Sequence, residues 1–414
     1  MRIWAFPSFY PLDIPGMRWS GTFAHRQYQG LIAAGADLKV VVPVLWYPPF
    51  PFYNLASDWK RLAKVPYPAE RIYDGIKVYH PRIRNGKPSR LMNKPYRERY
   101  IQSIIDFFKD NRIKLDPGND VFYAQWLSDA VFVVEAAHRL GVKCATLGIG
   151  DDVFIEPFKN DSRMNDFKTV LKASDASFFN ADYLGRESKK ISGLDLKYDV
   201  TYFGVDYKLF KPASAQLRKE LRNQFNFPQD KLLILNVASP LVRKGWLELF
   251  DAVAELKKER TDFMLIAGYA GPQNIDIPRE IANRSLGDIC IDYGEVKPAD
   301  LNKLYNCSDI FCLPSHWEGL PTVVMESMAC GMPVISTNVC GIPEIIDSGK
   351  TGILVGPKDP GQLFAALRDL CASPDMRNKL GNNAREFIVS TWGNANENSA
   401  KLLDKFKALV SATQ

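Results

Sequence analysis

From Ile310 to Ile346 the chain reads IFCLPSHWEGLPTVVMESMACGMPVISTNVCGIPEII, and few folds accept that order of features. The apolar run Ile310–Leu313, halted by Pro314, has the character of a parallel strand buried on both faces. A loop follows, Ser315-His316-Trp317-Glu318-Gly319. Pro321 then opens a short helix, which Gly331 and Pro333 close, in line with the preference for Pro inside the start and Gly past the end. Strand, loop, helix and strand make a βαβ unit, and ligands of such sheets gather at the carboxyl ends of the strands. Glu318 falls on that loop and Glu326 on that helix. Around Glu326 the helix is apolar on nearly every side (Val323, Val324, Met325, Met328, Ala329), so its carboxylate is expected to be buried. A buried carboxylate is costly unless partnered. It therefore either meets a ligand or caps something structural.

At 414 residues the chain is long enough for two domains of roughly 200 residues each. The formal charge of +6 suits an anionic substrate or an acidic surface and falls well short of a nucleic-acid-binding composition. No run of apolar residues is long enough for a membrane-spanning helix. Met1–Phe6 is too short for a signal peptide and is expected to form a first strand. The seven cysteines include no C-x-x-C pair and mostly occupy apolar segments, as small core residues of a protein in a reducing cytoplasm.

In the first half, Arg2–Phe6 reads as a strand, residues 7–19 as a loop, Thr22–Ala34 as a helix and Leu38–Val44 as a second strand. The loop carries Gly16 and Gly21 but no G-x-G-x-x-G, so a dinucleotide fingerprint is absent. The aromatic, proline-rich run Trp46–Tyr53 is neither helix nor central strand. Arg82, Arg84, Lys87, Arg90, Lys94, Arg97 and Arg99 are answered only by Glu98. Such a stretch suits an anionic membrane surface or a phosphorylated acceptor, and it equally suits a solvated helix face. Asp120–Gln125, Asp129–Leu140 and Lys143–Leu147 read as strand, helix and strand, leading into Gly148-Ile149-Gly150-Asp151-Asp152.

In the second half Lys231–Ala238 reads as a strand, followed by Ser239–Gly245 and a helix from Trp246. Phe263–Ala267 is expected to be a strand running into a permissive loop that begins at Gly268. Amphipathic helices close the chain, the last from about Ala395 to Val410. A helix N-terminus offers N–H groups and positive dipole to an anion. Pro321 lacks an N–H, which leaves Thr322 and Val323 as donors.

Glu318-Gly319, Glu326-Ser327-Met328-Ala329, Gly331-Met332-Pro333-Val334 and Gly341-Ile342-Pro343-Glu344 together resemble the donor-binding signature of the retaining glycosyltransferases of family 4. The resemblance is strong in the second half and looser in the first. It implies the GT-B fold, an α/β architecture of two Rossmann-like domains facing a central cleft. The domains expected are 1–210 on the acceptor side, 211–390 for the nucleotide sugar, and a tail, 391–414, returning to the first.

By this resemblance Lys244 and Arg243 support the diphosphate of the donor, and Glu326 accepts from the ribose hydroxyls. Glu318 orients the donor sugar, and Asp152 joins Glu318 and Lys244 in the catalytic set. Gly319, Leu320, Thr322, Val323, Gly21 and Gly268 line the donor. The chain departs from the family where Ile149 and Gln125 replace histidines and Ser239 replaces an arginine. Ile149 has no group to bond a hydroxyl at carbon six of a hexose, which favours a 6-deoxy sugar or a pentose as donor; the competing reading is a local shift in which Asp151, Asp152 or a water replaces the histidine and the ordinary hexose remains the donor.

No two aspartates stand two positions apart, so an Asp-x-Asp metal motif is missing and neither metal nor cofactor is expected. The activity implied is transfer of a sugar from a nucleotide-diphosphate donor to a glycan, a lipid-linked or another acceptor, in cell-surface polysaccharide synthesis. The partners implied are the nucleotide sugar, that acceptor and an anionic membrane met peripherally. A nucleotide-sugar epimerase of the same architecture and a non-catalytic sugar-nucleotide binder are the competing readings.

Overall fold

The computed structural model describes residues 1–8, 10, 22–46, 68–84, 95–269, 271, 273–392 and 394–412. Gly16, Gly21, most of Trp46–Tyr53 and the central part of the basic stretch 82–99 lie outside the described residues. The chain divides into two compact units, one of residues 1–203 with 396–414 and the other of residues 204–395.

The strands of the first unit are β1 Arg2–Pro7, β2 Asp37–Val41, β3 Val44–Trp46, β4 Glu70–Tyr73, β5 Ile76–Tyr79, β6 Arg82–Arg84, β7 Asp120–Gln125, β8 Lys143–Gly148, β9 Ala176–Phe179 and β10 Asp199–Val200. Eight of them form one sheet in the order β10-β9-β8-β7-β1-β2-β5-β4, and β3 pairs with β6 apart from it. All neighbours in the large sheet run parallel except β4 and β5. The second expected strand, 38–44, is thus two short ones belonging to different sheets. The helix Ala395–Ser411 supplies Leu402, Leu403, Phe406 and Val410 to the core of this unit. Phe406 is fully buried, its ring 5.0 Å from that of Tyr123 and 5.7 Å from that of Phe178.

The second unit has β11 Leu232–Val237, β12 Phe263–Tyr269, β13 Cys290–Glu295, β14 Ile310–Leu313, β15 Val334–Thr337 and β16 Ile353–Val355. They form a single parallel sheet in the order β13-β12-β11-β14-β15-β16. β11 and β14 are central and buried on both faces, which accounts for their unbroken apolar sequences LLILNV and IFCL. The helices Trp246–Glu259 and Pro360–Ala372 cover one face, with Leu249, Val253, Leu363 and Leu367 fully or almost fully buried against Ile234, Leu265 and Ile310. Both units are therefore doubly wound α/β sheets, and the strand order of each reverses beside its central strand.

Candidate functional site

Lys244 and Glu318 meet at the carboxyl ends of β11 and β14. After β11 the chain makes one short helical turn, Val242–Lys244, and Gly245 caps it with φ +74. A side chain at position 245 would place its Cβ 1.9 Å from the Pro314 carbonyl oxygen, so glycine is what lets this loop lie against the loop after β14. Contacts between the two loops follow. The N–H of His316 donates to the Arg243 carbonyl at 2.7 Å, and its imidazole Nε2 lies 2.9 Å from Glu248 Oε1. The Arg243 guanidinium sits 5.8 Å from the centre of the Trp317 ring.

Within that frame Lys244 Nζ donates to Glu318 Oε1 at 2.5 Å. The Ser315 hydroxyl donates to the same oxygen at 2.7 Å. Thr337, at the end of β15, donates in turn to the Ser315 carbonyl at 2.5 Å, tying the loop to the next strand. The side chains of Lys244 and Glu318 are only 15% and 8% exposed, so their attraction is little screened by water. Gly319 and Leu320 continue the loop, Leu320 buried.

The helix that follows is Thr322–Ala329. Pro321 does not open it as its first residue: it is the N-cap, with φ −73 and ψ 110, and its carbonyl accepts from Val324 N–H at 3.1 Å. The N–H groups of Thr322 and Val323 precede that first intrahelical bond, as donors at a helix start must. Glu326 is 3% exposed, and its Oε2 accepts from the Tyr305 hydroxyl at 3.1 Å. Tyr305 itself is fully buried.

Other expected site residues have different surroundings. Gly268 does not begin a loop: it lies inside β12, where the register against β13 shifts, and a Cβ there would come 2.6 Å from Val296 Cγ2. Close packing against Val296 explains the glycine without a ligand. Asp152, in the first unit, is fully buried with its carboxylate turned to backbone. It accepts from Leu127 N–H at 2.9 Å, Ile149 N–H at 3.0 Å and Gly150 N–H at 2.7 Å. Burial pushes its pKa up to about 6 against the pull of those amides. Its visible work is to pin the loops after β7 and β8 together. Gln125 is likewise internal, accepting from the Tyr28 hydroxyl at 2.8 Å and donating to Gln27 Oε1 at 2.6 Å.

Residues 218–387 match the family described as glycosyl transferases group 1. The chain carries this match over less than half of its length. It is 30% identical over 279 residues to D-inositol 3-phosphate glycosyltransferase 2 of Catenulispora acidiphila, an alignment covering 64% of this chain and 63% of that protein. The chain thus spans less than two thirds of that relative's length. A putative teichuronic acid biosynthesis glycosyltransferase of Bacillus subtilis is 27% identical over 368 residues, covering 89% of this chain and 88% of its own. Among solved structures, sucrose-phosphate synthase from Thermosynechococcus elongatus shares the fold, with a TM-score of 0.76 over 100% of both chains at 17% identity. Two Rossmann-like units in one chain are the composition of the GT-B class.

The matched region holds Lys244, Glu318 and Glu326 together with partners that no local motif marks. Ser315, Thr337, Tyr305 and the His316–Glu248 pair are all of this kind. Ser315 carries a faint signal, a hydroxyl residue directly after a strand-ending proline. Tyr305 carries none, since a tyrosine among apolar helix residues reads as core.

Proposed function

We propose that this chain transfers a sugar from a nucleotide-diphosphate donor to a glycan, lipid-linked or other acceptor, with retention of anomeric configuration and without a metal ion. The observation that carries the reading is the buried Lys244–Glu318 pair at the strand ends, followed directly in the chain by the helix Thr322–Ala329 with Glu326 buried inside it.

A departing diphosphate builds negative charge, and fixed cations and helix-start N–H groups stabilise such charge best where water is excluded. Lys244 and Arg243 are the cations in reach of this role, and the N–H groups of Thr322 and Val323 are the backbone donors. Glu326, held by Tyr305, suits the ribose hydroxyls, and Glu318, fixed by Lys244 and Ser315, suits hydroxyls of the donor sugar. The names of the inositol phosphate and teichuronic acid relatives support an acceptor in cell-surface glycan or glycolipid synthesis. A peripheral contact with an anionic membrane rests on the basic composition of residues 82–99. There Arg97 is engaged with Glu135 at 3.0 Å and with Asp166 at 3.5 Å. No helix among the described residues is long and apolar enough to cross a membrane.

The test is transfer from a panel of nucleotide sugars, with the anomeric configuration of the product read by NMR. Glu326→Ala should keep the fold and lose roughly tenfold to hundredfold in donor affinity, the weight of one charged hydrogen bond. Transfer should persist in EDTA. Isomerised free donor would point to an epimerase, and binding without turnover to a non-catalytic relative. Wild-type transfer by Glu326→Ala would refute the site.

A further inference from the structure

We propose that the second unit carries a binding site for a small phosphate-bearing anion, formed by Arg218, Arg377 and Asn378 at the end of the sheet opposite the Lys244–Glu318 pair. A cavity of about 280 Å³ opens there, lined by these three residues together with Tyr305, Asp309 and Pro333. Asp309 and Pro333 directly precede β14 and β15, so the cavity lies at the amino ends of these strands, and β14 leads at its carboxyl end into the candidate donor loop. Its size falls below the roughly 300–1,000 Å³ of pockets for larger ligands, which suits a phosphate or a phosphate ester of a small sugar.

The charges around it do not balance. Asp309 is shared: Oδ1 accepts from Arg218 at 2.5 Å, while Oδ2 accepts from Arg222 at 2.7 Å and from Leu233 N–H at 2.7 Å. Arg377 donates to the carbonyls of Leu370 at 2.6 Å and Cys371 at 3.1 Å, and pairs with no carboxylate among the described residues. Two guanidinium groups of the lining, Arg218 and Arg377, thus stand beside one lining carboxylate, Asp309, which the buried Arg222 already engages. Burial lowers the pKa of Arg218, with Arg222 and Arg377 adding to the shift and Asp309 opposing it.

Each guanidinium carries five N–H donors in a planar fork that matches phosphate oxygens. Arg218 engages Asn306 O and Asp309, and Arg377 its two carbonyls, so each keeps donors beyond those bonds. Asn378, exposed at the rim, adds an amide. Tyr305 forms part of the wall, and its hydroxyl is the group that bonds Glu326. An anion seated here would touch the residue that holds the candidate ribose carboxylate.

The experiment is calorimetric titration of the full chain with inorganic phosphate and, separately, with a hexose monophosphate. Phosphate should bind the wild type, and Arg377→Gln should weaken it about tenfold or more. Arg377 also caps a helix, so Asn378→Asp is the second variant: it sets a carboxylate at the exposed rim and should weaken binding without disturbing the fold. The double variant Lys244→Met with Glu318→Leu, which leaves no uncompensated buried charge, should keep a phosphate site in place, which separates this cavity from the donor loop. Tighter binding of the hexose monophosphate would name an ester as the occupant, and equal or tighter binding of phosphate the free ion. No binding to the wild type, binding unchanged in both Arg377→Gln and Asn378→Asp, or complete loss in the folded Lys244→Met, Glu318→Leu double variant would each overturn the proposal.

Discussion

Lys244 and Glu318 have side chains only 15% and 8% exposed, so removing one charge leaves the other buried and uncompensated. Lys244→Met is expected to lower stability by about 3–5 kcal/mol in urea unfolding. Adding Glu318→Leu should restore most of that loss and none of the transfer activity. A single variant as stable as the wild type would show that the pair is not closed in solution. At a second residue, His80, the effect is on pH dependence. His80 is 2% exposed, and burial lowers its pKa from 6.5 to about 4, with Arg71 and Arg82 adding to the shift and the Val42 carbonyl opposing it. The folded state then binds fewer protons than the unfolded one, so its contribution to stability is present above pH 6.5 and is lost as pH falls towards 4. Asp152 acts in the opposite sense, since a raised carboxylate pKa of about 6 gives stability that is lost as pH rises through 6. The two trends overlap, so the check is the difference between wild type and His80→Gln. That difference should shrink on acidification from pH 6.5 to 4, and a constant difference would contradict it.

At the scale of elements, the eight-residue helix Thr322–Ala329 is too short to persist alone and owes its order to burial beside β14 and β15. Its entry loop is located by contacts with the loop after β11, and those depend on backbone approaching backbone at Gly245. Gly245→Ala combines a left-handed φ of +74 with a Cβ 1.9 Å from the Pro314 carbonyl oxygen. It should cost at least about 2 kcal/mol and part Lys244 from Glu318. Thermal unfolding and a transfer assay would both register the change, and an unaltered melting temperature would mean that the loops do not touch. Local signals served this region well. The apolar run, the prolines and Gly331 all act within a few residues, and the strand Ile310–Leu313 has the bounds that its sequence predicts. They served less well at Gly268, where the reason for a glycine is a side chain from another segment, Val296.

On the scale of the molecule, the chain leaves its first unit at residue 203 and returns to it at residue 396. The returning helix is part of that unit's core, with Phe406 fully buried against Tyr123 and Phe178. Phe406→Ala should cost about 3–5 kcal/mol. In a denaturation followed by probes in each unit, the loss should fall on the first unit and spare the second; equal loss in both would mean that they unfold as one. The sequence by itself determined the alternation of strands and helices, the βαβ unit around Glu318 and Glu326, and the carboxylate and lysine types of the candidate site. Each of these follows from chemistry confined to a few neighbouring residues. Tertiary structure alone decided that Lys244 pairs with Glu318 across 74 positions, that Tyr305 holds Glu326, and that Asp152 accepts from the Leu127 N–H, 25 positions away. Those outcomes depend on which distant atoms reach a buried charge first, and no local pattern carries that information.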